Sequence, residues 1–559
     1  MMSFLRPVTG ESREPVLVPA AKPQPAGEPM TPAARDANAG QVRSDLRSLG
    51  RGSSQILAGS VVTAVLNIAL PIIITRRYSS ADAGTFFAAT ALFFILVNTG
   101  TVGSDTGILR FLPRARALGL QADMPRQLRT AFVTPVVIST VLGLALFIFA
   151  PQVARLASGP RSGQADVFQQ FLHVLGPMLP VAVLYGIAMS ATRGFGVLKP
   201  LVLVEKIGRG LLQTGLIVVV SVLHPTPLPL IVAWSTPYVV AGLVLTPWLR
   251  RLLRTALAGR PTDAAMLRSN RVLGREFWSF AAPRAVSRVF SVALQRFDII
   301  LVAAMLGAAE AAVYTVATRF LLLGQLFGQS IQEVMAPRIS GLLAKEDRAR
   351  SKLLYRTTTS WLTIVTWPLF LISAVFAPVL LGVFGGDYRR GSVVVVVLCL
   401  SMLVATTCGP VDTILLMAGR TSWSLYNTGA ALAANVAVDL VLIPRLGING
   451  AAFGWMVGIL ISNLVPLLQI RRSLGMHPFG RATLEVMVIA GLSIGLLPLA
   501  VRLVLGPTVI ALILASVLGG AAYLLTLVCR RQVLELDALT SSLRLPGRRR
   551  RSGGVPTAG

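Results

Sequence analysis

Runs of about 20 mostly apolar residues, each long enough to cross a hydrocarbon core as a helix, recur between Ser53 and Cys529. The runs lack the two-residue alternation of a membrane barrel. In lipid a helix satisfies its own backbone hydrogen bonds, so helices are the expected form. The pattern predicts an all-α polytopic membrane protein with about fourteen spans. They fall near 53–75, 84–108, 130–150, 168–190, 200–222, 228–248, 276–305, 311–335, 358–384, 391–417, 422–443, 449–470, 483–504 and 507–529. Residues 1–52, rich in Pro, Ala and charge, read as a disordered tail without the apolar stretch of a cleavable signal peptide. Residues 531–559 read as a basic tail that either touches anionic lipid or stays solvated.

Composition agrees with this pattern. Only 13% of the 559 residues are charged and 54% are hydrophobic, and the mean hydropathy is +0.71. A soluble chain would carry roughly 25% charged residues. The net charge of +29 is spread between apolar spans with no recognition module, which argues against nucleic acid. It suits loops on the cytoplasmic side instead. With both termini inside, the inner loops collect basic residues such as Arg110, Arg114, Lys206, Arg209, Arg250, Arg275, Arg348 and Arg472, while the outer loops hold few, among them Arg76, Arg155 and Arg390. The expected location is a bacterial cytoplasmic membrane, crossed many times. Cys399, Cys408 and Cys529 lie in apolar segments and His173, His224 and His477 lie far apart, so no disulfide framework, thiol site or His-rich metal site is expected.

A long repeat organises the spans. Ser80-Ala81-Asp82-Ala83-Gly84 is echoed roughly 228 residues on by Ala308-Ala309-Glu310-Ala311-Ala312. Phe149-Ala150-Pro151 returns as Phe376-Ala377-Pro378, and Ala191-Thr192-Arg193 as Ala418-Gly419-Arg420. Six spans per unit is even, so both units enter from the same side, as two parallel lobes with a cleft between them. The expected lobes are 53–250 and 276–472, joined by a basic linker over 251–275, with two extra spans over 473–530.

The seventh span carries the most informative polar pattern. At 100° per residue, Arg284, Arg288, Ser291, Gln295 and Asp298 share an arc of roughly 80°. A charge at the centre of a span costs about 2.5–3.5 kcal/mol, so such residues face a cavity or a partner. Two guanidinium groups one turn apart are explained by a visiting anion such as phosphate; Arg284 can also snorkel to the membrane face. Asp298 can pair with Arg296 or cap the helix end. On the eighth span Arg319 accompanies a stripe of Thr318, Gln325 and Gln329, suited either to sugar hydroxyls or to interhelical hydrogen bonds. Asn67, Asp105, Asn435 and Asp439 are further polar groups in or near spans. Asn435 and Asp439, one turn apart, could coordinate a cation, relay a proton or make a structural hydrogen bond. Pro71, Pro135, Pro283 and Pro410 mark kinks or hinges. No phosphate-binding GxxxxGK[ST] loop, HExxH or GxSxG occurs, and the outer loops are short, so an enzyme is not expected.

Several stretches resemble bacterial polysaccharide flippases of the multidrug/oligosaccharidyl-lipid/polysaccharide exporter superfamily. Asp298, Gly307, Tyr314 and Arg319 resemble one of their motifs. Leu381-Gly382-Val383-Phe384-Gly385-Gly386-Asp387-Tyr388 resembles another, and Asn427, Asn435, Pro444, Gly447, Gly450 and Ala451 a third. The resemblance spans about 53–530 and implies a V-shaped cationic cavity with alternating access coupled to H+ or Na+, without any other cofactor. It implies a lipid-linked oligosaccharide as substrate, with undecaprenyl pyrophosphate as carrier, and membrane lipids and polysaccharide polymerase or assembly proteins as partners. Arg284 and Arg288, with Arg319 and Arg110, are the candidates to receive the pyrophosphate. Gln295, Gln325, Gln329 and Asn67 would complete the cavity, and Asp298, Asp105, Asn435 and Asp439 are the candidates for ion coupling. A lipid II flippase and a cation-coupled drug exporter share this fold and stay open as alternatives, and a membrane polymerase or ligase is a more distant one.

Overall fold

The computed structural model describes residues 62–117, 120–158, 163–257, 269–344 and 346–530. Both expected tails, and the start of the first expected span, lie outside these residues. Among the described residues there is no strand.

The helices run in chain order as α1 (62–77), α2 (Ser80–Thr101), α3 (Ser104–Ala117), α4 (Met124–Ile148), α5 (Ala150–Ser158) and α6 (Ala165–Gly194). Next come α7 (Leu201–Leu223), α8 (Pro227–Leu257), α9 (Asn270–Leu306), α10 (Ala308–Ala344), α11 (Arg348–Val375) and α12 (Ala377–Gly382). The chain ends with α13 (Ser392–Cys408), α14 (Val411–Met417), α15 (Thr421–Leu446), α16 (Ile448–Leu474), α17 (Arg481–Leu505) and α18 (Val509–Cys529). Among the described residues, twelve helical segments are long and apolar enough to cross a membrane. Two more, α1 and α10, stand where the first and eighth spans are expected. The chain is therefore an all-α, multi-pass membrane protein.

Helix boundaries follow local chemistry. Ser79 caps α2 by accepting from the Asp82 N–H at 3.0 Å, and Thr508 caps α18 through the Ala511 N–H at 3.1 Å. Gly307, with φ of 98°, makes the sharp turn between α9 and α10, a conformation that other residues rarely adopt. Pro283 and Pro135 sit inside unbroken helices, whereas Pro410 stands at the break between α13 and α14. The charge pattern places Arg110, Lys206 and Arg209 in loops, but Arg110 lies within α3 and the other two within α7. Both helices start several residues before these sites, at Ser104 and Leu201, so the basic residues belong to helices rather than connectors. Helix α8 continues to Leu257 and α9 begins at Asn270, inside the stretch expected as a linker.

The breaks recur in register. Helix α10 starts at Ala308 as α2 starts at Ser80, α12 follows Phe376 as α5 follows Phe149, and α13 starts at Ser392 as α6 starts at Ala165. The tight turns at Ser79 and Gly307 define one end of the bundle, the hairpin end. Arg114, Glu276 and His477 mark the other, basic end.

The main core lies toward the hairpin end, where Phe86, Phe93, Phe171, Trp234 and Tyr314 are all buried. There the two halves are closed on each other. Gly84 packs so tightly on α10 that an added Cβ would stand 1.6 Å from the Ala308 carbonyl oxygen. Arg76 donates to the Val383 and Gly382 carbonyls at 2.9 and 3.1 Å, and Arg390 pairs with Glu310 at 2.8 Å. At the basic end α3 crosses α9, with Gly107 against Phe277 and Arg114 paired to Glu276 at 3.0 Å. Helices α17 and α18 pack on α11, where Tyr523 donates to the Ile364 carbonyl at 2.9 Å.

Candidate functional site

Helices α9 and α10 bring the polar residues of the second half to the boundary with α2. A cavity of about 50 Å³ lies there, lined by Gln295, Arg296, Asp298, Tyr314, Thr318, Arg319, Gln325 and Trp455, among others. The Arg319 guanidinium lies 5.7 Å from the centre of the Phe87 ring and Arg296 lies 4.4 Å from that of Phe94, both rings belonging to α2. Cation–π contact offsets part of the cost of holding these charges away from water. Among the described residues neither arginine forms an ion pair, and the Arg319 Nε–H is buried without an acceptor. Two cations facing one small polar cavity form an anion-seeking arrangement.

Behind this cavity the second half builds an oxygen cluster from three helices. Asp298 Oδ2 of α9 accepts from the Tyr314 hydroxyl at 2.8 Å. The Asp439 carboxyl and Asn435 amide of α15 both reach the Asp298 carboxyl, and Asn435 Nδ2 lies 3.5 Å from Asp439 Oδ2. Gly454 of α16 leaves the space for Asp439, since a Cβ there would stand 1.8 Å from Asp439 Oδ1. All three residues are buried. Asp298 Oδ1, Asn435 Oδ1 and Asp439 Oδ1 each lack a hydrogen-bond donor. Three orphaned oxygens and two carboxylates without a basic partner make a donor set for a hard cation. Among the described residues no group of three or more His, Cys, Asp or Glu could hold a metal ion.

A larger cavity of about 260 Å³ opens between α1, α7 and α10. Its walls include Thr63, Asn67, Glu205, Lys206, Arg209, Gln213, Thr214 and Gln329. The first nine residues of α7, Leu201–Arg209, are wound as a π-helix, a wide-turned form often found at functional sites. Glu205 grips Arg209 with both oxygens, at 2.7 and 3.2 Å, and accepts from the Tyr185 hydroxyl. Arg209 lies 5.1 Å from the centre of the Tyr238 ring.

The expected site residues therefore divide. Gln295, Asp298, Arg319 and Gln325 line the small cavity, Asn67 and Gln329 the large one, and Asn435 and Asp439 join Asp298. Arg288 is exposed and donates to Asn98 Oδ1 at 3.3 Å. Arg284 and Arg110 share the Phe280 ring, at 4.9 and 4.1 Å from its centre. These three arginines line neither cavity and stand nearer the basic end. Asp105 occupies the first turn of α3, beside the Gly103–Ala281 crossing, roughly 25 Å along α9 from Asp298. Arg296, Glu205, Lys206 and Arg209 are site residues that the polar stripes do not single out.

A family model described as "Polysaccharide biosynthesis protein" matches residues 217–393. Among solved structures, the chain is similar to a lipid II flippase, MurJ, in an inward closed conformation, with a TM-score of 0.66 and 13% identity over 86% of this chain and 99% of that one. It is also similar to an inward-facing multidrug resistance transporter of the MATE family, with a TM-score of 0.58 and 16% identity over 74% and 98%. A transporter of the same superfamily from Pyrococcus furiosus gives 0.54 and 17% over 76% and 95%. No curated protein sequence matches. The chain thus has the fold of the MOP superfamily, together with a segment similar to polysaccharide biosynthesis proteins.

Proposed function

We propose that this chain is a flippase that carries an undecaprenyl-pyrophosphate-linked oligosaccharide across the bacterial cytoplasmic membrane by alternating access, for exopolysaccharide or O-antigen-like assembly. The observation that carries the reading is the pair Arg296 and Arg319, which face one polar cavity of the second half beside α2 and, among the described residues, form no ion pair, with Asp298 as the one carboxylate on its wall. A lipid pyrophosphate is an anion that such guanidinium groups bind through charge-assisted hydrogen bonds. Arg284 and Arg288 continue the series along α9 toward the basic end, which on this reading faces the cytoplasm together with both termini. The headgroup enters from that end, meets the exposed arginines first, and reaches Arg296 and Arg319 while the polyprenyl tail stays in lipid.

The oxygen cluster supplies the coupling. A sodium ion held by Asp298, Asn435 and Asp439 would tie α9, α15 and, through Gly454, α16 into one rigid unit. Its release frees α9 to move with the arginines it carries. Two arginines against the one carboxylate of Asp298 on the cavity wall favour an anion over a cationic drug.

Deleting the gene tests the reading. The expected result is loss of surface glycan with lipid-linked oligosaccharide accumulating on the inner leaflet. Normal surface glycan with impaired cell-wall synthesis would favour lipid II as cargo instead.

A further inference from the structure

The two cavities differ in chemistry and touch through one helix. Gln325 lines the small cationic cavity and Gln329 the large one, a single turn of α10 apart, or roughly 6 Å. Tyr238 packs on Arg209 at the large cavity. In the small cavity the arginines are unpaired. In the large one Arg209 is already neutralised by Glu205, which Tyr185 also holds.

We propose that the large cavity reads the sugar attached directly to the carrier phosphate, taking a hydroxyl-rich monosaccharide, with Asn67, Gln329 and Glu205 as specificity-determining residues. The inference rests on the flippase reading and assigns each part of the headgroup to its own cavity. The outer edges of the Glu205–Arg209 pair and the neighbouring amides offer donors and acceptors at fixed angles, which is what sugar hydroxyls need. Gln213 donates through Nε2 to the Trp234 carbonyl at 2.8 Å, which holds its Oε1 in place as an acceptor. The Thr214 hydroxyl is buried without a partner. A volume of about 260 Å³ lies just below the roughly 300–1,000 Å³ of common small-molecule sites, which suits one sugar rather than a whole oligosaccharide. The one-turn step between the cavities matches the separation of a sugar ring from the phosphate on its anomeric oxygen.

The test uses the full-length protein in lipid nanodiscs and three probes: bare undecaprenyl pyrophosphate, and the same carrier bearing glucose or galactose. Binding is read by native mass spectrometry. The wild type is expected to bind at least one sugar-bearing carrier at least fivefold more tightly than the bare carrier. Gln329→Leu and Asn67→Leu are expected to erase that difference while binding the bare carrier as the wild type does. Thermal melting identifies any variant that fails to fold, and the other variant then decides. If the wild type binds all three carriers equally, or the variants weaken all three alike, the sugar assignment is overturned and the flippase reading stands. If no carrier binds the wild type, both fall.

Discussion

The backbone of Gly84, at the start of α2, rests against the carbonyl of Ala308 at the start of α10, leaving no room for a side chain. The contact closes the hairpin end between the halves, and Arg76 reinforces it by donating to Val383 and Gly382. An alternating-access cycle must open this end, so the contact belongs to one state of the cycle only.

Gly84→Val should therefore disfavour the closed hairpin end, at a cost of about 1–3 kcal/mol from overpacking. A cysteine placed at Ser79 should react faster with a membrane-impermeant maleimide in that variant than in the wild-type background. Equal rates would mean that α2 and α10 do not separate there.

Replacing Arg319 by Met keeps the length of the side chain and removes its charge. If the pyrophosphate is held there, export should fall roughly 10- to 100-fold, the range of one charged hydrogen bond, at normal protein levels. Arg288→Ala should also lower export, because Arg288 precedes Arg296 along α9. Surface glycan measured against membrane protein abundance checks both.

Sodium should raise the melting temperature of the purified protein relative to choline, since a ligand that binds only the folded state stabilises it by about 2.7 kcal/mol at a hundredfold excess over Kd. Asp439→Asn should abolish the sodium effect and leave the protein folded. A sodium effect that survives in this variant would place the cation elsewhere.

His477 offers a pH prediction outside the spans. It lies between α16 and α17, and Arg356 of α11 donates to its Nε2 at 2.7 Å. Desolvation first, then the charges of Arg356 and Lys352, hold its pKa below the usual 6.5. The folded state therefore resists protonation more than the unfolded one. The contact is fully stabilising above about pH 6.5 and weakens as pH falls below that value, until the folded ring itself takes up a proton. Melting curves should show this decline in the wild type and a smaller one in His477→Gln.

The spans and their polar residues were legible because each is a local signal. Asp298, Asn435 and Asp439 stand out individually as costly groups in apolar helices, but their meeting depends on α9 packing beside α15, which no local pattern encodes. Arg296 escaped the stripe because it lies roughly 120° around α9 from Arg284, yet it lines the same cavity as Gln295 and Asp298. Lys206 and Arg209 read as loop charges because the polar opening turns of a helix and a basic loop have the same composition. The pairing of Arg209 with Glu205 inside α7 follows from their four-residue spacing.

Transbilayer transfer in proteoliposomes tests the central claim most directly. A fluorescent undecaprenyl-pyrophosphate-linked oligosaccharide in both leaflets is quenched from outside by a membrane-impermeant reductant. With wild-type protein, the inner-leaflet fraction should become accessible well ahead of protein-free vesicles, and Arg319→Met should slow that protein-dependent rate roughly 10- to 100-fold. Wild-type vesicles that are no faster than empty ones would contradict the account.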